Sequence, residues 1–178
     1  MQNIFDDTKY RSLAPDLTSQ FIEGIPFPHV VVDDFLPTDV AGAVAEAFPK
    51  PESEELDKWK LHENEHTMRW FLEDSSCFPD PLRELAACLG SRPFMQFLVT
   101  VTGIPSLFLD PYFIGGGAMS TPNGGFLQVH ADFNWHALLQ SWRRVNVLLY
   151  LTPGWQQEWG GALELWSRDG QARVQSID

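Results

Sequence analysis

Residues 143–166, RRVNVLLYLTPGWQQEWGGALELW, decide how the second half of the chain folds. In an extended strand neighbouring side chains point to opposite faces, so Val145, Val147, Leu149 and Leu151 fall on one side and Asn146, Leu148 and Tyr150 on the other. Pro153-Gly154 and Gly160-Gly161 then break the run before a second apolar stretch, GGALELWS (160–167). Gly160 and Gly161 read as a turn or bulge that lets that strand pass close to the core. Outward from here the texture repeats from Ser106 onward: LFLDPYFI (107–114), GGGAMSTPNGG (115–125), FLQVHAD (126–132), then a turn at RDG (168–170) and ARVQSID (172–178). Short alternating runs between glycine-rich turns are the pattern of antiparallel strands.

Upstream the pattern is helical. PHVVVDDF (28–35) reads as extended, and Thr38 can cap a helix through Ala47, with Val40, Val44 and Phe48 at helical spacing and Pro49 closing it. PESEELDKWK (51–60) reads as a charged connection. Residues 81–103 alternate leucines with small residues as one or two buried helices do, each ended by a glycine. Helices first and strands after predict an α+β fold, in which helices pack on an antiparallel sheet rolled into a jelly roll. The expected organisation is one domain over 1–178, with helical support at about 36–103 and a β core at about 106–178.

The chain has 24 acidic and 12 basic residues, a formal charge of -12, which repels a phosphate backbone and argues against a nucleic-acid partner. With 44% hydrophobic content it can bury a core. Its two cysteines, Cys77 and Cys88, read as buried fillers rather than a disulfide framework, which fits a reducing compartment. MQNIFDDTKYRS lacks a basic region followed by an apolar run, and nowhere do about 18 apolar residues run together. The expectation is a soluble cytoplasmic protein with no membrane span.

In FLQVHAD, strand geometry puts Gln128, His130 and Asp132 on one side. An imidazole and a carboxylate so placed can take two adjacent positions on a divalent ion, and a further histidine completes the 2-His-1-carboxylate face of non-heme iron oxygenases. His-x-Asp by itself is equally the mark of a hydrogen-bonded pair at a strand end. The downstream text adds more. RRVNVLLYLTPGWQQEWGGALELW resembles the core of the Fe(II)/2-oxoglutarate-dependent dioxygenases, specifically the prolyl 4-hydroxylase-like group. There His-x-Asp is followed by a basic residue, a strand ending in Tyr-Leu, a loop with Trp, then Gly-Gly and a strand. The likeness runs from about Thr102 to the last residue, and GIPFPHVVVDDFLP (24–37) looks like the opening strand of that family.

The resemblance implies a double-stranded β-helix of cupin-like form, with His130 and Asp132 as Fe(II) ligands and Tyr150 hydrogen-bonding the distal carboxylate of 2-oxoglutarate. Asn146, on the Tyr150 face, would line the same pocket. O2 is the other cosubstrate, with ascorbate as a reductant. The implied reaction hydroxylates a C–H bond, peptidyl proline among the candidates, and releases succinate and CO2. Halogenating relatives carry a small residue in place of the carboxylate, so Asp132 favours hydroxylation. The loops 115–125 and 134–142 carry no substrate code, which leaves a small molecule or a peptide as partner and the oligomeric state open.

The sequence also departs from the family. The second histidine ligand and the basic residue for 2-oxoglutarate belong on later strands, and the chain ends at Asp178 with no arginine after Arg173. The expectation is an incomplete domain lacking its C-terminal strands, weak in iron affinity and inactive by itself. His136 reads as part of a loop covering the pocket rather than as the missing ligand, and Arg143 and Arg144 as a solvated strand start. HENEH (62–66) matches the zinc-protease pattern H-E-x-x-H, but Glu65 and the charged flanks indicate a solvated helix or loop. The alternative to an enzyme is a catalytically incomplete jelly-roll module that binds a ligand or partner.

Overall fold

The computed structural model describes residues 4–6, 8–51 and 58–177. Four helices and eight short strands alternate along it: α1 (Thr8–Glu23), α2 (Thr38–Ala47), β1 (Lys60–Asn64), β2 (Thr67–Leu72), α3 (Asp80–Leu89), α4 (Arg92–Thr102), then β3 (Ala118–Ser120), β4 (Phe126–Leu127), β5 (Trp135–His136), β6 (Ser141–Trp142), β7 (Leu163–Trp166) and β8 (Arg173–Ile177). Mixed helices and antiparallel ladders make this an α+β fold. No helix among the described residues is long and apolar enough to cross a membrane.

The helices follow their apolar spacing. In α3, Leu82, Leu85 and Cys88 recur every three residues and are buried. In α4, Phe94 and Val101 are buried, and Gly103 ends the helix in the left-handed conformation, its N–H donating to Val99 O. The α2 helix has the expected span, but Pro37 rather than Thr38 occupies the cap position and no side chain caps it. Helical support also begins earlier than expected. α1 runs through Pro15 and buries Tyr10, Ala14 and Leu17, an i, i+4, i+7 stripe. Residues 28–35 join no ladder; they turn at Asp33-Asp34, held by the Tyr10 hydroxyl donating to Phe35 O at 2.7 Å. Of the charged connection 51–60, residues 52–57 lie outside the described residues.

A larger correction concerns residues 60–72. HENEH is part of a hairpin, in which β1 pairs antiparallel with β2 and His62 stands opposite Arg69. β1 is exposed throughout, which is why its sequence carries charge, but the backbone alternates instead of coiling. β2 is the centre of the molecule's main sheet, pairing with β1, β3 and β4. Its two faces differ. Trp70 and Leu72, with Ala118 of β3, pack into the main core beside Val40, Val44, Leu85 and Phe94. Thr67, Arg69 and Phe71 point to the opposite face, which Met119, paired with Phe71, shares. Gly117 makes the β2–β3 approach work: its φ is +84, and a Cβ there would lie 2.4 Å from Leu72 O.

Farther along, β7 and β8 form the expected hairpin around the RDG turn, with a bulge between Leu165 and Trp166. Residues 143–151 follow the alternation read from sequence only in part: Val145, Leu149 and Leu151 are partly buried, Leu149 and Leu151 against the main core, and Asn146, Leu148 and Tyr150 are exposed, but Val147, expected on the inner face, is exposed as well. No ladder among the described residues includes them, and the ladders form three separate sheets. Gly160 and Gly161 adopt φ of +70 and +84 with open space around both, so their role is backbone conformation rather than close approach. Cys88 is buried as expected, Cys77 is half-buried, and both are free thiols.

Candidate metal and cosubstrate site

β4 ends at Leu127; Gln128 N still donates to His66 O at 2.9 Å, and the chain bends at Val129. His130 and Asp132 nevertheless come together. The ring nitrogen Nδ1 of His130 lies 2.9 Å from Gln128 O. A carbonyl can only accept, so Nδ1 carries the proton and donates, which leaves the Nε2 lone pair free. Nε2 faces Asp132 Oδ1 at 3.4 Å. Two donors each about 2.1 Å from a first-row divalent ion and at right angles would lie about 3 Å apart, so this pair has the bite of two adjacent ligands.

The other carboxylate oxygen is also engaged. Asn146 Nδ2 donates to Asp132 Oδ2, and Arg143 Nε donates to the Asn146 Oδ1 at 2.8 Å. Arg143 additionally lies 3.8 Å from Asp132 Oδ2 and stacks its guanidinium on Phe133, 4.7 Å from the ring centre. Arg143 is therefore a buttress of Asp132 rather than a solvated strand start, whereas Arg144 is exposed. Groups that orient a ligand typically change metal affinity 10–100-fold when removed. Asn146→Ala is expected to weaken Mn(II) binding about 10-fold, read by isothermal titration; an unchanged affinity would leave Asn146 no part in holding Asp132.

Tyr150 stands on the exposed side of its segment, 66% accessible. The burial it does have raises its pKa, and the positive charge of Arg69 pulls the other way. Arg69 was not foreseen from sequence. Burial lowers its pKa, and the negative charges of Asp132 and then Tyr150 oppose that by attraction.

His136 has its side chain turned inward. It is buried on β5, paired with Ser141 of β6; its Nδ1 accepts from Leu139 N at 3.1 Å, and its Nε2 sits 3.2 Å from Asp110 Oδ2 without the alignment of a hydrogen bond. With Nδ1 accepting, the neutral ring carries its proton on Nε2, so neither nitrogen offers a free lone pair. Asp110 itself accepts from Tyr112 N and Ile114 N, which fixes the turn that packs against His136. In the hairpin, the His62 ring packs on Phe71 at 4.5 Å, and His66 Nδ1 contacts Gln128 Oε1 at 2.9 Å. The H-E-x-x-H histidines are thus split between a strand and a turn. Among the described residues no group of three or more His, Cys, Asp or Glu side chains is placed to hold a metal.

Residues 117–178 match the family model of the 2OG-Fe(II) oxygenase superfamily. His130, Asp132, Asn146 and Tyr150 all lie inside that stretch; the four helices and the β1–β2 hairpin precede it. The match supports a dioxygenase-like function with Fe(II), 2-oxoglutarate and O2, and the donor chemistry of the facing imidazole and carboxylate fits such a metal. No curated protein and no solved structure gives a match.

Proposed function

We propose that the chain carries the metal and cosubstrate site of an Fe(II)- and 2-oxoglutarate-dependent hydroxylase of the prolyl 4-hydroxylase-like kind. The carrying observation is the facing of His130 Nε2 and Asp132 Oδ1 at 3.4 Å within the segment that matches the oxygenase family. When bound, the iron and 2-oxoglutarate supply the oxidising chemistry, consuming O2 and yielding succinate and CO2 as a substrate C–H bond is hydroxylated.

The protein's part is placement. Gln128 O fixes the His130 tautomer so that Nε2 is the ligating atom. Asn146 occupies Asp132 Oδ2 and leaves Oδ1 for the metal, while Arg143 braces Asn146. Tyr150 offers its hydroxyl to the far carboxylate of 2-oxoglutarate, with Asn146 lining the same pocket. In this reading 143–151 is a strand of a jelly roll, its Leu149 and Leu151 turned to the core. The third metal ligand comes from outside the described set, since His136 is committed elsewhere. A small molecule or a peptide side chain, peptidyl proline included, is the substrate. The low cysteine count favours a reducing, cytoplasmic setting, with ascorbate as a reductant that maintains Fe(II).

The test is succinate formation by the full-length protein in the presence of Fe(II), 2-oxoglutarate and ascorbate. Production that requires both iron and 2-oxoglutarate is expected. Succinate no higher than in a chelator-treated control, with 2-oxoglutarate still bound, would instead identify a binding module without turnover.

A further inference from the structure

The hairpin that follows Asp132 has little of its own to hold it in place. β5 and β6 meet through two residue pairs, Trp135 with Trp142 and His136 with Ser141, and join no other sheet. A lone two-stranded hairpin is marginal in water. Trp135, Leu138 and Trp142 stay exposed, and the residue this hairpin buries is His136. An apolar side chain of similar volume would often stabilise such a position as well as a histidine beside a carboxylate, so stability alone does not account for the pair it makes with Asp110.

Both ends of the hairpin belong to the metal site. It follows Asp132 directly, and where it closes Arg143 N donates to Asn134 O at 2.8 Å. A single turn braces it at two points. Asp110 Oδ2 lies 3.2 Å from His136 Nε2, and the carboxylate is itself fixed by accepting from Tyr112 N and Ile114 N at 2.9 Å each. Farther round the turn, a Cβ on Gly115 would lie 3.0 Å from Phe133 Cε1 and 3.6 Å from Arg143 Nη1, so backbone rests directly on the Phe133–Arg143 stack. The turn is tied to the interior in its own right. Phe113 packs against the main core with its ring 5.7 Å from that of Phe78, and Gly115 N donates to Glu73 Oε1 at 3.2 Å. Contacts therefore run from the core through this turn to the hairpin, and on through Arg143 and Asn146 to Asp132 Oδ2.

We propose that His136 and Asp110 are positioning residues for the metal pair: their contact seats the 133–143 hairpin on the 110–116 turn and so sets the Arg143–Asn146 brace that turns Asp132 Oδ1 toward His130. This rests on the metal reading above. The imidazole ligates nothing itself, since its Nδ1 accepts from Leu139 N and its Nε2 lies against Asp110.

Two readouts on the full-length protein test it. Tryptophan rings in edge-to-face contact give a coupled circular-dichroism band, so Trp135 and Trp142, 5.1 Å apart, report whether the hairpin is seated. Mn(II) affinity by isothermal titration reports the setting of Asp132. His136→Leu, which keeps the volume and loses the contact, should lose the coupled band and weaken Mn(II) about 10-fold while still melting cooperatively. His136→Gln, whose amide can reach Asp110, should restore most of both. Asp110→Asn should weaken Mn(II) to a similar degree, and the double variant with His136→Leu should bind no worse than either single one, because the two residues act as a unit. Should the leucine variant fail to fold, Asp110→Asn carries the same comparison. Wild-type Mn(II) affinity in the folded single variants, with Asp132→Ala impaired, would overturn the inference and leave the metal reading standing; so would additive losses in the double variant. Absence of Mn(II) binding by the wild type would bring down both.

Discussion

Replacing Asp132 with alanine is expected to lower Mn(II) or Fe(II) affinity by roughly 100-fold or more and to remove iron-dependent succinate formation by the full-length protein. The side chain supplies a charge and a donor atom facing His130 Nε2, and its second oxygen is the acceptor that orients Asn146 and, through it, Arg143. Alanine removes all three contributions at once. What remains is one imidazole beside a cation, an arrangement that repels a divalent ion. The cost to folding should be small, because the Asp132 side chain is 41% exposed and such surface positions usually shift stability by no more than about 0.5 kcal/mol. Metal titration and thermal melting on the same sample separate the two effects. Undiminished metal affinity with an unchanged melting curve would remove Asp132 from the ligand set.

Phe94→Ala is expected to destabilise the protein by about 3–5 kcal/mol. Phe94 is 2% exposed, and its ring lies 4.6 Å from Phe5, 5.9 Å from Phe97 and 6.4 Å from Phe35, centre to centre. Each aromatic pair contributes about 0.5–1.5 kcal/mol beyond the burial itself. The cluster joins α4 to the segment before α1 and to the turn before α2, so the cavity would open where three parts of the chain meet. Against a total stability of about 5–15 kcal/mol, such a loss is a large fraction. Urea denaturation monitored by tryptophan fluorescence measures it; a loss below about 1 kcal/mol would mean the cluster is not a continuous core.

How much of this was legible in the sequence depended on whether local spacing or distant pairing set the outcome. α3, α4 and the β7–β8 hairpin could be read because their apolar period and their glycine or RDG stops lie within the elements themselves. α1 carries its stripe of Tyr10, Ala14 and Leu17 just as openly, but Pro15 in mid-helix masks it. The 60–72 hairpin was obscured by charge: an exposed strand has no apolar alternation to display, and only its register with β2 shows it. At the site, the two-residue spacing anticipated the facing of His130 and Asp132, although the chain bends at Val129 instead of continuing as a strand. The surroundings of Thr67 and Arg69 were not legible, since they are set by the pairing of Thr67 with Leu127, far along the chain. The burial of His136 against Asp110 is likewise a tertiary fact that no local pattern announces.

The two-faced character of β2 constrains how this protein can vary. Because Trp70 and Leu72 serve the core while Thr67 and Arg69 serve the opposite face, a one-residue slip would exchange the two sets completely. A guanidinium would enter the apolar interior as a tryptophan left it. Single-residue insertions or deletions within this strand are therefore far more damaging than most substitutions, and the parity of its length matters as much as its composition.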